Sequence, residues 1–576
     1  MKEALEAQLE VALARILEDL GGDATAPRVV LDRPRQKTHG DYACNVAMPL
    51  AKDLGRPPRE IAALLIEALG NAGGLLDRVE IAGPGFINFW LAEARWHDVL
   101  LAIVKAGSDY GRSQTGRGKK VQVEFVSANP TGPLSTGHGR QAVLGDCIAR
   151  LLDFSGFEVT REYYFNNAGR QMRVLGQSLR ARYRELLGRA AAPPAPEVDP
   201  GDPSWKQVDG LPVEFPADGY RGEYLVGIAR GIVSEHGEAW LDEDAEAGFR
   251  EVAERQIFAE IRVTLERIGI NFDVYYNERT LYEEGRLEKV LTDLRAKDLV
   301  YDADEAVWFR ATALGLDRER VLVKRTGEPT YLLPDIAYHR EKIRRGFDVI
   351  IDVMGADHIE QFPFVKSAVG ALGCDADRIE LVLHQFVTLT RGGEKVKQST
   401  RRANFITVDE LVEEVGTDVF RFFMIERRAD AHLDFDLDLA TDRNWRKNPA
   451  YTVQYAHART HGIERKAVLG GVPMPTGEDF DGSRLDLPEE IELIRKLAEF
   501  PEVVAGAAAS REPHHVAYYL RDVAGLWNPY VQDGSRHRVL SDDPQLTAAR
   551  LGLTLAVRVV FANGLSVLGL AAPEQM

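Results

Sequence analysis

Four short stretches combine residue types and spacings that could do chemistry. The first runs from Asn129 to Arg140, NPTGPLSTGHGR. It lies between a β-branched run, VQVEFVS, and a helical pattern over Arg140–Phe154. A helix that starts after such a turn offers free backbone N–H groups and the positive end of its dipole, and both attract phosphate. Gly137 and Gly139 let the backbone approach a ligand closely, and His138 can donate hydrogen bonds to phosphate oxygens. The second stretch is YLLPDIAYH, Tyr331 to His339. On residue types alone, its Tyr-x-x-x-Asp spacing is a weak signal, and a capping Asp beside a core Tyr is the usual explanation. The third is VMGADH, Val353 to His358, at the carboxyl end of the apolar run VIIDV. Parallel sheets bind ligands at that end of their strands, and an Asp there also suits a helix cap. The fourth is the basic run GEKVKQSTRR, Gly393 to Arg402.

The elements around these stretches predict how they are held. VQVEFVS reads as a buried strand, followed by the turn, the helix over 140–154 and a strand over Phe157–Phe165. Strand, helix, strand in that order predicts a parallel, doubly wound sheet. Helices over about 168–189 and 220–268 flank a Pro-rich loop, 191–219, which reads as part of an insertion. Strand candidates resume at VWF, RVLVKR, VIIDVMG and IELVLHQF, and from about Arg446 the pattern is almost wholly helical. Ahead of all this, residues 1–108 read as a small α+β unit. It has an amphipathic first helix (Leu5, Leu9, Leu13, Ile16, Leu20), a strand at Val29–Leu31 and a turn at His39–Asn45. A helix ending before Gly55, a helix over Pro58–Leu69 and a strand pair at Val79–Ala82 and Phe86–Leu91 complete it.

At 576 residues the chain exceeds one compact core, and its composition is that of a folded protein, with 28% charged and 45% hydrophobic residues. No apolar run comes near the ~20 residues needed to cross a bilayer, and the acidic N-terminal helix lacks the pattern of a signal peptide. Three scattered cysteines, Cys44, Cys147 and Cys374, predict no structural zinc and fit a reducing compartment. A net charge of −18 argues against an indiscriminate polyanion binder. It leaves room for local basic patches, with candidates at Arg117–Lys120, His339–Arg345 and Arg443–Lys447.

VEFVSANPTGPLSTGHGR resembles the signature strand and turn of the class I aminoacyl-tRNA synthetases, and within that class the arginine enzymes. Gly137 and His138 keep the second half of the class tetrapeptide, while Ser135 stands where its first His is expected. The run at 393–402 is similar to the class loop that covers ATP. Lys397 and Ser399 agree with it, Thr400 replaces its second Lys, and Arg401 follows. HGDYACNVAMPLAK and GPGFINFWL resemble the N-terminal domain peculiar to the arginine enzymes, and NPAYTVQYAHAR opens a stretch similar to their anticodon-binding helices.

The resemblance implies a fold of three parts. An N-terminal α+β additional domain (1–108) contacts the outer corner of tRNA. A Rossmann-like parallel-sheet catalytic domain (109–445) carries a helical insertion near 170–270 and the signature loop near 393–403. An all-α helical-bundle domain (446–576) binds the anticodon. The implied activity is that of an arginine-specific ligase that uses ATP with Mg2+ to make arginyl-adenylate and then charges tRNA. Implied roles are Glu124, Asn129, Tyr331 and Asp335 on arginine, and Gly137, His138, Gly355, Asp357, His358 and Lys397 on ATP. His138, Lys397, Ser399 and Arg401 would serve catalysis, and Tyr451, Gln454, Tyr455 and Met576 would contact tRNA. A cytoplasmic monomer away from membranes is the implied setting. Ser135 and Thr400 motivate the alternative, a catalytically reduced synthetase-like RNA-binding protein.

Overall fold

The computed structural model describes residues 1–20, 26–34, 36–167, 169–396, 406–476, 479–534 and 536–576, with the backbone alone at 37, 245, 246 and 357. It resolves into two compact units, one of residues 1–108, 460–499 and 526–560, the other of 109–459, 500–525 and 561–576.

In the first unit the helix Lys2–Leu20 buries Leu5, Leu9, Leu13 and Ile16 of the expected stripe, while Leu20 at its end is half-buried. Helices Ala47–Leu54 and Pro58–Leu69 follow, the first closed by Gly55 in the left-handed region. The sheet is antiparallel, in the order Tyr42–Cys44, Phe86–Leu91, Leu76–Ala82. Two expectations are corrected here. Val29–Leu31 is no strand: Val29 and Leu31 are buried and Val30 is exposed, but the Leu31 N–H bonds the Glu6 carboxylate, and the bridge to Ala43 is made by Asp32. The strand lies instead inside the stretch read as a turn. Gly40 (φ +91°) makes the turn, packed so closely on Phe89 that a Cβ would stand 2.5 Å from its carbonyl oxygen, and Tyr42–Cys44 then pair with the 86–91 strand.

The second unit is built on a five-stranded, wholly parallel sheet in the order Ile379–His384, Val349–Gly355, Lys120–Glu124, Glu158–Phe165, Val274–Asn277. Strands buried on both faces lose the polar alternation, which is why Val121, Val123, Ile350, Ile351 and Val353 read as near-continuous apolar runs. From the 120–124 strand the chain winds one way to 158–165 and 274–277, then returns to the other side for 349–355. The strand order therefore reverses between 120–124 and 349–355, and a ligand crevice is expected at their carboxyl ends.

Not every strand candidate joins this sheet. Ala306–Phe309 and Arg320–Val323 form a separate antiparallel meander with Val300–Ala303. The insertion holds helices Arg170–Leu186, Glu223–His236 and Arg250–Arg267, so the single span read over 220–268 is two helices. After 446 the long helices are Pro449–Leu469, Pro488–Leu497, Phe500–Ser510, His514–Gln532 and Pro544–Val567. The last corrects the reading that no run is apolar enough to span a bilayer. Its 24 residues pass on length and composition, and most of the helix is buried within the chain, as befits a core helix.

Candidate active site

The 120–124 strand ends at Glu124, and the chain then breaks sharply, with Val126 and Ser127 at φ +68° and +41°. A β-branched residue in that region is strained, so the surrounding contacts must hold it. One such contact is the Ser127 hydroxyl, which donates to Glu124 Oε1 (2.9 Å) and accepts from the Tyr164 N–H (3.1 Å). Downstream, Asn129 Nδ2 donates to Gln171 Oε1 at 2.5 Å.

The following helix starts at Thr136, four residues earlier than its periodicity suggests, and Ser135 is its N-cap. The His138 N–H donates to Ser135 Oγ (3.5 Å), and the Ser135 N–H donates to His138 Nδ1 (3.2 Å), a reciprocal capping box. The position where the class has a first His is here filled by one of the best capping residues. An Nδ1 that accepts leaves the proton on Nε2, and surrounding protein lowers the ring's pKa to about 4. His138 is therefore a neutral donor at neutral pH. The two glycines differ in their work. A Cβ on Gly137 would meet Ser135 Oγ at an ordinary 3.8 Å, whereas a Cβ on Gly139 would stand 2.8 Å from the Phe420 ring and 2.9 Å from Val408, so Gly139 serves helix packing.

Asp335 lies in the first turn of the helix Leu332–Arg344 and accepts a hydrogen bond from Gln361 Nε2. Desolvation pushes its carboxyl up to about 7, with Glu278 and Glu124 adding to the rise and His339 and Gln361 opposing it. Glu278, buried just past the 274–277 strand, accepts from the hydroxyls of Tyr164 (2.8 Å) and Tyr282 (3.3 Å), and burial raises its pKa too. Neither carboxylate has an ion-pair partner among the described residues.

Glu124 differs from both. Its Oε2 pairs with Lys342 Nζ, which also reaches Asp352 Oδ1 at 2.5 Å. Asp352 Oδ2 in turn meets His339 Nε2 at 2.7 Å, and His339 Nδ1 meets the Asp335 carbonyl oxygen at 2.7 Å. Burial alone would raise the Asp352 pKa, but Lys342 and His339 hold it below the usual carboxylate range. The expected basic patch at His339–Arg345 is largely spent inside the fold: His339 and Lys342 are buried, Arg345 makes a bidentate pair with the buried Glu162 (2.6 and 2.7 Å), and Arg344 stays exposed.

The remaining positions are distributed as follows. Tyr331 is 65% exposed at the start of the 332–344 helix, one turn before Asp335, rather than packed on its carboxylate. Gly355 ends the 349–355 strand, His358 is exposed just beyond it, and of Asp357 only the backbone is described. Lys397, Ser399, Thr400 and Arg401 lie outside the described residues. Tyr455 stacks on Trp445 (4.3 Å between centroids), and Met576 is exposed. Gln454 is buried, its amide donating to Asp418 Oδ2 (2.7 Å) and the Ala571 carbonyl (3.1 Å), so it braces the fold.

Sequence reasoning missed Gln361, Glu278, Lys342 and Asp352. A signal existed for two of them. Asp352 is a lone acid inside the apolar run VIIDVMG, and residues 335, 339 and 342 share one helical face, as the spacing i, i+4, i+7 requires.

Three family models match the chain. One described as the arginyl tRNA synthetase N terminal domain covers residues 3–91. The catalytic domain of tRNA synthetases class I (R) covers 100–192 and 225–433, parting at the Pro-rich loop, and the DALR anticodon binding domain covers 453–576. The chain is 50% identical to the arginine–tRNA ligase of Desulfotalea psychrophila over 96% of each protein. It is 46% identical to that of Salinibacter ruber over the whole of both. The solved arginyl-tRNA synthetase of Thermus thermophilus, at 23% identity, shares its fold over both full lengths with a TM-score of 0.75. Motif, sheet topology and full-length likeness agree: the chain belongs to the arginyl-tRNA synthetases, in class I of the aminoacyl-tRNA synthetases.

Proposed function

We propose that this chain is an arginine–tRNA ligase that activates L-arginine with MgATP and transfers it to the 3′ end of its tRNA. The observation that supports it most is the pair of carboxylates at the carboxyl edge of the sheet, Asp335 and Glu278, whose oxygens, among the described residues, accept from neutral donors alone. Each is costly to ionise where it stands, and a guanidinium relieves both, because its planar fork of donors matches carboxylate oxygens. Glu278 takes the place first given to Glu124, whose charge is already met by Lys342. Gln361 fixes the Asp335 carboxylate, and Asn129, at the break after the 120–124 strand, faces the amino-acid end.

The reaction is an in-line attack of the arginine carboxylate on the α-phosphate of ATP, with pyrophosphate leaving; the tRNA terminal hydroxyl then takes the arginyl group from the adenylate. Positioning and electrostatics supply the rate in such transfers. His138 gives an Nε2–H donor beside the helix start, Gly355, Asp357 and His358 border the nucleotide, and Lys397, Ser399 and Arg401 bring charge and donors to the phosphates. Tyr451, Tyr455 and Met576 serve the tRNA side, and a monomer in the cytoplasm is the setting that fits. The test is release of pyrophosphate from ATP, measured with and without arginine and tRNA. Turnover that requires arginine and is raised by tRNA supports the reading. A folded, tRNA-binding protein without turnover would replace it with the non-catalytic alternative.

A further inference from the structure

Behind the two free carboxylates lies a closed set of four charges. Glu124, Lys342, Asp352 and His339 form one chain of contacts across the 120–124 strand, the 332–344 helix and the 349–355 strand, the elements that flank the point where strand order reverses. Lys342 and Asp352 are wholly buried, and Glu124 and His339 nearly so. Both His339 ring nitrogens face oxygens that can only accept here, the Asp335 carbonyl and the ionised Asp352 carboxylate, each at 2.7 Å. Two acceptors require two N–H donors, so the ring is an imidazolium. Two carboxylates then meet two cations, and the set is neutral. The neighbouring charges are also matched, Glu162 by Arg345. What remains unmatched among the described residues is Asp335 and Glu278.

The geometry points to Lys342 and His339 as specificity-determining positioning residues: they neutralise Glu124 and Asp352, so that the pocket presents net negative charge only where a guanidinium binds. This rests on the reading that Asp335 and Glu278 take the guanidinium. The cluster touches the pocket through the backbone of Asp335 and through Glu124, and needs no contact with arginine itself. Its consequence is one of charge. An unbalanced cation at this depth repels a cationic ligand across a poorly screening interior, while a neutral ligand of the same shape is indifferent to it.

The experiment compares arginine with citrulline, which carries a neutral urea in place of the guanidinium. Glu124→Gln leaves the cluster with one excess positive charge. The arginine KM should rise about tenfold or more, while the inhibition constant of citrulline moves by less than about threefold. Adding Lys342→Met removes that excess and should restore most of the arginine preference. If the double variant stays as weak for arginine as Glu124→Gln, Glu124 acts by direct contact and the inference is overturned. It is equally overturned if both ligands weaken together, or if Glu124→Gln changes nothing. Should Glu124→Gln not fold, Lys342→Met/Asp352→Asn also removes one charge of each sign. It should keep the arginine preference within about threefold, and a loss of about tenfold would overturn the idea. Asp335→Asn, run alongside, tests the pocket reading by itself: an unchanged arginine KM there would remove that reading, whatever the cluster variants do.

Discussion

A carboxyl with a pKa near 7 makes two predictions at the scale of one residue. Guanidinium stays charged throughout the working range, so the ligand does not titrate but its partner does. Below about pH 7 Asp335 holds a proton that must leave when arginine binds. The arginine KM should therefore climb by about tenfold per unit as pH falls below 7, and flatten above it. A KM that stays level between pH 5.5 and 8 would show that Asp335 is ionised before arginine arrives. Stability runs the other way. The folded-state pKa lies above the unfolded value of about 4, so the folded chain binds this proton more tightly, and Asp335 costs stability as pH rises through 4 to 7. Asp335→Asn should thus stabilise the fold at pH 8 by roughly 1–2 kcal/mol once solvent in the open pocket is allowed for, seen as a higher melting temperature. The same change should cost arginine use about two orders of magnitude, the loss of one partner of a desolvated charge pair. Thermal melts and arginine kinetics on one preparation check both signs.

At the scale of elements, the site exists because a parallel sheet reverses its strand order, and that much is legible in the strand, turn, helix, strand pattern over 120–165. Helix starts are less legible. The 136–154 helix begins within STGH, where Gly137 and the polar residues hide the apolar period, and the cap geometry alone reveals its first turn. Ser135→Ala should therefore cost about 1 kcal/mol of stability. It should also raise the ATP KM, because His138 loses the hydroxyl that helps set its ring; an unchanged melting temperature would mean the cap contributes nothing. Short pairings escape the sequence for a different reason. Tyr42–Cys44 is a strand only because the 86–91 strand lies beside it, and YAC carries no alternation long enough to read. Asp335 and His138 stand out from motif resemblance. Gln361, Glu278 and Lys342 become functional candidates only once the ends of distant strands are brought together.

At the scale of the whole chain, residues hundreds of positions apart close the second unit. Arg421, wholly buried, pairs with Asp146 at 2.5 Å and donates to the carbonyls of Ile268 (2.9 Å) and Leu568 (2.9 Å). One guanidinium thus joins the signature helix, the insertion and the last helical segment. Breaking such a buried pair from one side costs roughly 3–5 kcal/mol, so Arg421→Met should lower stability sharply and at once for arginine and tRNA use. The last residues do something narrower. Asp418 accepts from the Ala571 N–H (3.0 Å), Gln454 donates to the Ala571 carbonyl, and His457 Nδ1 meets the Pro573 carbonyl at 2.9 Å. These contacts tie residues 571–573 to the start of the 449–469 helix, which carries Tyr451 and Tyr455. Removing residues 571–576 frees that helix face and takes away the exposed Met576, while leaving the sheet and the carboxylates of the arginine pocket intact. We expect tRNA affinity to fall about tenfold in a direct binding titration, with arginine affinity, measured by calorimetry, unchanged. If tRNA binds the shortened chain as tightly as the full one, the terminal segment only seals the fold and the RNA contacts lie elsewhere. If arginine affinity falls as well, the second unit is more tightly coupled than its separate contacts suggest, and Gln454 and Asp418 are the first residues through which to trace that coupling.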